Sequence, residues 1–311
     1  MSSMKRGSAA IVGVAESDIG SVAADMSVID LMAQGTVRAL RDAGLTLSDV
    51  DGIFCATTQA RTSAMSLAEY LKKPDAYVDS TIVGGSSFEI HVAHAQAAIE
   101  AGLCSVAVVA YGSTQRSAGR KNASPREFNP YETPFKPFMP STAYAMAANR
   151  HMHEYGTTRE QLAEVAVAAR KWAQLNPVAF DQRPLDIAGV LNAKMVSYPF
   201  TVRDCCLVTD GGGAVVLTSA ERAKTLKKPP VYVLGTGTCI THATISNMPD
   251  LTRTGAIASG ARAYQAAGLQ ARDMDMAQLY DAFTINTILF LEDLGFCKKG
   301  EGGGFVDHGR I

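Results

Sequence analysis

Ala43-Gly44-Leu45-Thr46-Leu47-Ser48-Asp49-Val50-Asp51 returns as Ala267-Gly268-Leu269-Gln270-Ala271-Arg272-Asp273-Met274-Asp275, an offset of 224 residues from 43 to 267. In both copies the motif closes a helix and leads into a short apolar strand, residues 52–56 in the first and 276–280 in the second. An apolar strand also precedes each copy, at residues 11–14 and 231–234. The repeat therefore covers a β-α-β unit, and self-similarity at so long a period is read before local structure. Past Asp51 the first copy runs through a strand, a Gly-Gly-Ser-Ser turn, a long helix and another strand to about residue 110. The counterpart past Asp275 would need residues beyond Ile311, so the second half is expected to be truncated.

Around the repeat, apolar runs at 9–14, 53–56, 106–110, 214–217 and 231–234 are short, rich in β-branched residues and bounded by Gly or Ser. They read as buried strands. Between 27 and 43, Ile29, Met32, Ala33, Val37 and Leu40 recur at helical spacing and Gly44 supplies the stop. Alternating strands and helices predict an α/β fold with mostly parallel sheets covered on both faces. From 113 to 198 the texture changes: Arg116, Arg120, Lys121, Arg126 and Lys136 mix with Pro125, Pro130, Pro134, Pro137 and Pro140. An irregular excursion is expected there. Helices follow at 142–155, ended by Gly156, and at 158–176, opened by a Thr158-to-Gln161 capping box and closed before Pro177. With no counterpart in the second copy, this block reads as an insertion, the kind of segment that often carries a binding surface.

The 311 residues set a prior of about two domains, and the hydrophobic fraction of 47% against a charged fraction of 19% allows a sizeable core. A net charge of −1 gives no global attraction to nucleic acid or an anionic membrane. The sequence has no apolar run long enough for a membrane span, and a cytoplasmic location is expected. Cys55, Cys104, Cys205, Cys206, Cys239 and Cys297 are scattered in apolar surroundings, as reduced cysteines usually are, and without a Cys-x-x-Cys pair no structural zinc is expected.

The sharpest local feature is Thr81-Ile82-Val83-Gly84-Gly85-Ser86-Ser87, ahead of a helix over 88–101 that is small and apolar all round. A buried helix needs its first N–H groups satisfied. Gly84 and Gly85 permit close backbone approach, Ser86 or Ser87 can cap, and the free donors with the helix dipole make a seat for an oxyanion. A plain strand-to-helix turn explains the same letters.

Ile11-Val12-Gly13, the Val83–Ser87 turn, Cys205-Cys206-Leu207-Val208-Thr209-Asp210-Gly211-Gly212-Gly213-Ala214, Tyr280-Asp281-Ala282-Phe283-Thr284 and residues 294–302 together resemble the thiolase superfamily, and within it the sterol-carrier-protein-x and lipid-transfer-protein-like branch. The resemblance holds in order over nearly the whole chain. It implies a five-layered αβαβα thiolase fold with an inserted loop domain that covers coenzyme A. The expected domains are residues 1–112 with 199–225 as the N-terminal thiolase domain, 113–198 as the loop domain, and 226–311 as an incomplete C-terminal domain.

Three departures bear on chemistry. Thiolases of the degradative and biosynthetic kinds place a nucleophilic cysteine at the strand-to-helix turn, and the resemblance puts Gly84 in that place, where no acyl-enzyme can form. Where thiolases have Asn-Glu-Ala-Phe, this chain has Tyr280-Asp281-Ala282-Phe283, and a phenol can donate a hydrogen bond to an enolate or, provided its pKa is lowered locally, take a proton from a β-hydroxyl. The family's Gly-His-Pro histidine and late Cys-x-Gly motif would follow Ile311, so half of the expected site lies outside these residues. Branch members with Gly and Tyr at the first two places resemble aldolases that split β-hydroxyacyl-CoA thioesters of the steroid or lipid side-chain type.

The expected reaction is therefore retro-aldol cleavage of a β-hydroxyacyl-CoA, with Gly84, Gly85 and Ser86 framing the thioester carbonyl and Tyr280 as acid/base. Two alternatives stay open: a thiolase-type acyltransferase recruiting Cys205, Cys206 or Cys297, and a non-catalytic acyl-CoA or lipid-binding scaffold. Arg116, Arg120, Lys121 and Arg126 are candidates for the phosphates of coenzyme A, against the plainer reading of a solvated basic loop. His91 and His94 share a helix face and read as packing rather than as a metal pair. His151 and His153 point to different sides of their helix. Gly211-Gly212-Gly213 reads as close backbone packing rather than a phosphate cradle, Asp281 and Glu292 as ordinary helix-terminus or surface carboxylates, and Gly302-Gly303-Gly304 as a mobile turn. The resemblance also implies a homodimer and a small zinc-ribbon and OB-fold partner chain.

Overall fold

The computed structural model describes residues 4–119 and 129–311. Along the chain run β1 (Ala9–Glu16), α1 (Val28–Ala43), β2 (Gly52–Cys55), α2 (Ser63–Tyr70), β3 (Tyr77–Asp79), α3 (Ser87–Glu100), β4 (Val106–Ser113), α4 (Ser141–Tyr155) and α5 (Arg159–Leu175). There follow α6 (Ile187–Leu191), β5 (Met195–Ser197), β6 (Phe200–Thr201), β7 (Gly211–Ser219), α7 (Ala220–Ala223), β8 (Val231–Tyr232), α8 (Ala256–Ala267), α9 (Thr284–Asp293) and α10 (Gly302–Val306). The chain forms two compact units, residues 1–126 with 208–236 and residues 127–207 with 237–311.

The first unit is built on a six-stranded sheet of order β3-β2-β4-β7-β1-β8. β2 pairs in parallel with β3 and with β4, while β7 runs antiparallel to both β4 and β1, and β8 antiparallel to β1. The sheet is thus mixed where strand–helix alternation predicts a mostly parallel one, because β7 enters it from a long excursion and not from a crossover helix. Its glycines serve close packing, as the sequence implies: a Cβ on Gly212 would lie 2.1 Å from the Tyr111 carbonyl oxygen. Both faces are covered. Val106, Val108 and Ala110 of β4 face the cluster built with α1, and Ala107 and Val109 face the cluster built with α3, as the period of two along a strand demands.

α1 forms where its letters say it should. Ser27 Oγ accepts from the Asp30 N–H at 3.2 Å, Asp30 Oδ2 accepts from the Ser27 N–H at 2.8 Å, and Gly44 ends the helix in the left-handed conformation at φ 75°. Leu31, Met32 and Leu40 are fully enclosed, and each such side chain contributes about 1.5–3 kcal/mol through burial.

The second unit packs α4, α5, α9 and α10 around Leu162, Phe200, Phe283, Ile285 and Ile288. The capping box opening α5 is present. Two expectations are corrected here. Residues 276–280 form no strand, and Met276 and Tyr280 are exposed. An extended segment becomes a strand only when a neighbour takes its N–H and C=O groups, and among the described residues the pairing comes later, at the isolated bridge between Cys205 and Phe283. The glycines at 302–304 open α10 and are no mobile turn. A Cβ at Gly302 would sit 2.7 Å from Glu292 Oε1 and one at Gly303 2.4 Å from Gln161 Oε1, so small residues are what this close approach requires. Among the described residues no helix is long and apolar enough to cross a membrane.

Candidate functional site

β2, β3 and β4 point the same way, so the loops that leave them open on one edge of the first unit's sheet. In α/β sheets that edge is where ligands bind. The loop from β3 into α3 is tied down at both ends. Asp79 Oδ1 accepts from the Thr81 N–H and hydroxyl, both at 2.9 Å, and Asp79 Oδ2 meets His94 Nδ1 at 2.5 Å. Burial pushes the Asp79 carboxyl up, but the bonds from His94 and Thr81 outweigh it and hold it below the ordinary carboxylate value. At the other end the enclosed Ser87 hydroxyl accepts from the Val83 N–H at 2.9 Å and donates to the Gly84 carbonyl at 2.7 Å, which also takes the Ser87 N–H at 3.1 Å. Of the two serines able to cap, Ser87 does the tying, and Ser86 stands at the helix start with no side-chain bond to its amides.

Gly84 sits at φ +86°, a region that disfavours any residue with a Cβ, and an added Cβ would meet nothing within 4 Å. Gly84, Gly85 and Ser86 are exposed, so the turn presents main chain and open space beside a helix N-terminus. Positive helix-end character favours negative charge there.

No cysteine occupies this turn. Burial pushes the Cys55 thiol up to about 12, and burial with the Asp51 charge takes Cys104 to about 11. In the second unit Cys205 and Cys297 are likewise raised to about 11, chiefly by burial, and Cys206 is raised by burial and then by Asp281. A thiolate nucleophile needs the opposite shift.

His91 is enclosed by Phe54 and Phe88, and desolvation lowers its pKa below the ordinary imidazole value. Among the described residues neither ring nitrogen has a partner that meets hydrogen-bond geometry. Its neighbour His94 is committed to Asp79. Among the described residues no group of three or more His, Cys, Asp or Glu side chains is placed to hold a metal ion.

Beside this edge Arg116 is fastened at the loop leaving β4. Its N–H donates to Asp210 Oδ1 at 2.8 Å and its guanidinium Nη1 to the Val208 carbonyl at 3.1 Å. Asp210 also accepts from the Ser117 and Val22 N–H groups, and these bonds hold its carboxyl below the ordinary range against the push of burial. Arg120, Lys121 and Arg126 lie outside the described residues. A cavity of about 550 Å³ opens between the start of α1 and the ends of β2 and β4.

In the second unit the segment carrying Tyr280 is anchored just past it. The Cys206 N–H donates to the Ala282 carbonyl at 2.9 Å, the Thr284 N–H to the Asp204 carbonyl at 3.0 Å, and the Thr284 hydroxyl to Asp204 Oδ1 at 3.0 Å. Phe283 stacks against Tyr144 at 4.5 Å and Phe200 at 5.5 Å between ring centroids. Tyr280 thus projects from a fixed base and is 53% exposed. Sequence reading passed over Asp204, although it stands directly before the quoted Cys205-Cys206 motif. The carboxylate that reading misplaced is Glu292: it is wholly enclosed, bonded to His151, Lys299 and the Gly302 N–H, and is no surface group.

Residues 237–311 match the family model described as thiolase C-terminal domain-like. The acetyl-CoA acetyltransferase of Methanothermobacter thermautotrophicus is 32% identical over 96% of this chain and 80% of its own length. The 17-hydroxy-3-oxo-4-pregnene-20-carboxyl-CoA lyase of Mycobacterium tuberculosis is 33% identical over 99% of this chain and 84% of its own. Among solved structures the Ltp2-ChsH2(DUF35) aldolase superposes with a TM-score of 0.86 at 32% identity, covering 97% of this chain and 80% of that one.

Proposed function

The chain belongs to the thiolase superfamily, in its sterol-carrier and lipid-transfer branch, and from that membership we propose that it cleaves β-hydroxyacyl-CoA thioesters by a retro-aldol reaction without an acyl-enzyme. The observation that carries this reading is Gly84: main chain at φ +86° stands where the resemblance calls for a nucleophile. Thiols raised by burial offer no substitute.

The chemistry needs a base and an oxyanion seat. Tyr280 is the acid/base the resemblance implies: with its pKa lowered locally it takes the proton of the β-hydroxyl, and the O–H electron pair becomes the new carbonyl as the Cα–Cβ bond breaks. The released pair passes into the thioester as an enolate, whose oxygen the donors of the Gly84–Ser86 turn stabilise. Return of the proton to Cα yields the shortened CoA ester and frees a ketone or aldehyde. Coenzyme A enters only as the thioester carrier, and Arg116 is the described candidate for its phosphates. The lipid or steroid side-chain character of the acyl group rests on the likeness to the pregnene-carboxyl-CoA lyase.

A homodimer in the cytoplasm, joined by a small zinc-ribbon and OB-fold partner, fits the same reading, the partner because the aldolase it resembles is a complex with a DUF35 chain. The division into a loop domain over 113–198 with thiolase domains on either side goes with it. Incubation with a β-hydroxyacyl-CoA, with and without such a partner, tests the proposal: a carbonyl product and a shortened CoA ester are expected, and their absence under both conditions overturns it. The likeness to an acetyl-CoA acetyltransferase favours a second reading, thiolase-type acyl transfer. CoA-dependent cleavage of a β-ketoacyl-CoA would establish that one instead.

A further inference from the structure

We propose that the end of α5 and the turn that follows it form a docking surface for a membrane bearing anionic lipid. The surface lies wholly in the second unit and is independent of the reaction proposed above. Trp172 and Leu175 stand three positions apart in the last turns of α5, so they share a helix face, and Val178 follows in the turn. They are 66%, 76% and 57% exposed. Large apolar side chains left in water together, and not scattered singly, mark an interaction surface.

The turn is built to hold these side chains out. Gln182 Nε2 donates to the carbonyls of Asn176, Pro177 and Ala179 at 3.0, 3.2 and 3.3 Å. The Ala179 N–H donates to the Asn176 carbonyl at 3.1 Å, and Asn176 Oδ1 accepts from the Val178 N–H at 3.1 Å. The turn's main-chain groups are thus satisfied from within, while every residue from 174 to 178 is exposed. A fixed, projecting turn results.

Charge decides what covers it. Asp181, at the foot of the turn, meets Arg183, Arg170 and Arg203 at 2.7, 3.0 and 3.8 Å. Residues 170–186 with Arg203 carry four positive charges, on Arg170, Lys171, Arg183 and Arg203, against the two negative ones of Asp181 and Asp186, a local surplus of two in a chain of net charge −1. Lys171 is exposed, and a Cβ on Gly309 would lie 3.3 Å from its Nζ, which brings the exposed Arg310 beside it. The remaining acids stand back: Glu164 is about two helical turns before Trp172, roughly 12 Å along the axis, and Asp307 accepts from Gln161 near the start of α5 at 3.1 Å. Aromatic and aliphatic groups among Arg and Lys suit a bilayer surface, where the apolar groups enter the acyl boundary and the cations meet lipid phosphate. A protein partner would have to supply a pocket shaped to a projecting turn, whereas a bilayer yields to it.

Trp172 is the one tryptophan of the chain, so tryptophan fluorescence reports this surface alone. The test titrates the full chain with vesicles of phosphatidylcholine, with and without an equal part of phosphatidylglycerol. The anionic vesicles are expected to shift the emission to the blue, to quench it when their acyl chains are brominated, and to lose their hold in about 1 M salt. Lys171→Gln should weaken binding about fivefold, the share of one cation near an anionic surface. Leu175→Glu should weaken it at least about tenfold through the lost burial, and Val178→Glu repeats that test should Leu175→Glu fail to fold by circular dichroism. No shift with anionic vesicles, an equal response to both kinds of vesicle, or binding unchanged in the folded glutamate variants overturns the proposal. A shift produced by soluble polyglutamate and not by vesicles gives the surface to an acidic polypeptide and overturns it too. So does a shift that grows with protein concentration alone, which gives the surface to a second copy.

Discussion

His151 and Glu292 face each other in the closed interior of the second unit, with Nε2 3.1 and 3.0 Å from the two carboxylate oxygens and neither side chain reached by solvent. Thr157 Oγ1 meets the other ring nitrogen at 2.8 Å, and Lys299 Nζ lies 3.0 Å from Glu292 and 2.6 Å from Asp293. One enclosed network thereby fastens α4 to α9 and to the loop entering α10.

Removing one member of such a network leaves its buried partners unpaired. Glu292→Ala is expected to cost about 3–5 kcal/mol in urea unfolding. The pH dependence follows from the sign of the shift. Burial pushes the Glu292 carboxyl up, yet bonds from His151, Lys299 and Gly302 outweigh it and set it below the ordinary 4.5. A lowered folded value means that the contribution is present above about pH 4.5 and lost as pH falls through the folded value. The native chain should lose stability below pH 4.5 more steeply than Glu292→Gln; identical acid profiles would remove Glu292 from this role.

The β3–α3 turn makes a sharper contrast between neighbours. Ser87→Ala strips the hydroxyl that joins the Val83 N–H to the Gly84 carbonyl, and leaving buried partners unmade costs about 1–3 kcal/mol. Ser86→Ala, one residue earlier and exposed, should stay within about 0.5 kcal/mol. Gly84→Ala meets open space but an unfavourable φ, for roughly 1–2 kcal/mol. Thermal unfolding of the three variants ranks them, and Ser86→Ala falling furthest would show that the wrong serine has been placed at the joint.

How far the sequence reaches is visible in the same elements. α1 was legible in its apolar spacing and its Gly44 stop, while the Ser27–Asp30 capping box, equally local, went unread. The turn around Gly84 was legible as a place but not as a mechanism, because Ser86 and Ser87 are equivalent until the backbone path chooses between them. Glu292 does stand in the last turn of a helix, as the sequence allows, but its enclosure was not legible, since its partners His151 and Lys299 become neighbours only on folding. The glycines at 302–304 were misread because composition cannot distinguish a glycine that gives mobility from one that admits Glu292 and Gln161 at contact distance. Residues 276–280 have strand-like letters, but a strand is a property of a pair.

Thiol chemistry offers a negative control on the proposed reaction. With Cys55 near 12 and Cys104, Cys205 and Cys297 near 11, well under about 0.1% of each is thiolate at pH 7.5. Intact-mass spectrometry after incubation with an acyl-CoA should show no acyl adduct, and Cys206→Ala should retain cleavage activity within about twofold, or about 0.4 kcal/mol. An adduct on any of these residues would transfer the assignment to the acyltransferase reading.

Tyr280 gives the most direct test of catalysis, because its exposure separates chemistry from folding. The side chain is 53% exposed, and the segment behind it is held by the Cys206–Ala282 and Asp204–Thr284 bonds and by Phe283 stacking, none of which uses the phenol. Tyr280→Phe keeps the ring and gives up at most one hydroxyl contact, so it should unfold within about 1.5 kcal/mol of the native chain. If the phenol moves the β-hydroxyl proton, kcat for a β-hydroxyacyl-CoA falls by about 10²–10⁴, the usual contribution of a positioned acid/base, while KM changes little. Asp204→Asn is the companion variant: it keeps Tyr280 but loosens its base, so the same substrate should show a smaller drop in kcat alongside a measurable loss of stability. Equal kinetics for Tyr280→Phe and the native chain would leave proton transfer without Tyr280 and return the choice of base to residues elsewhere.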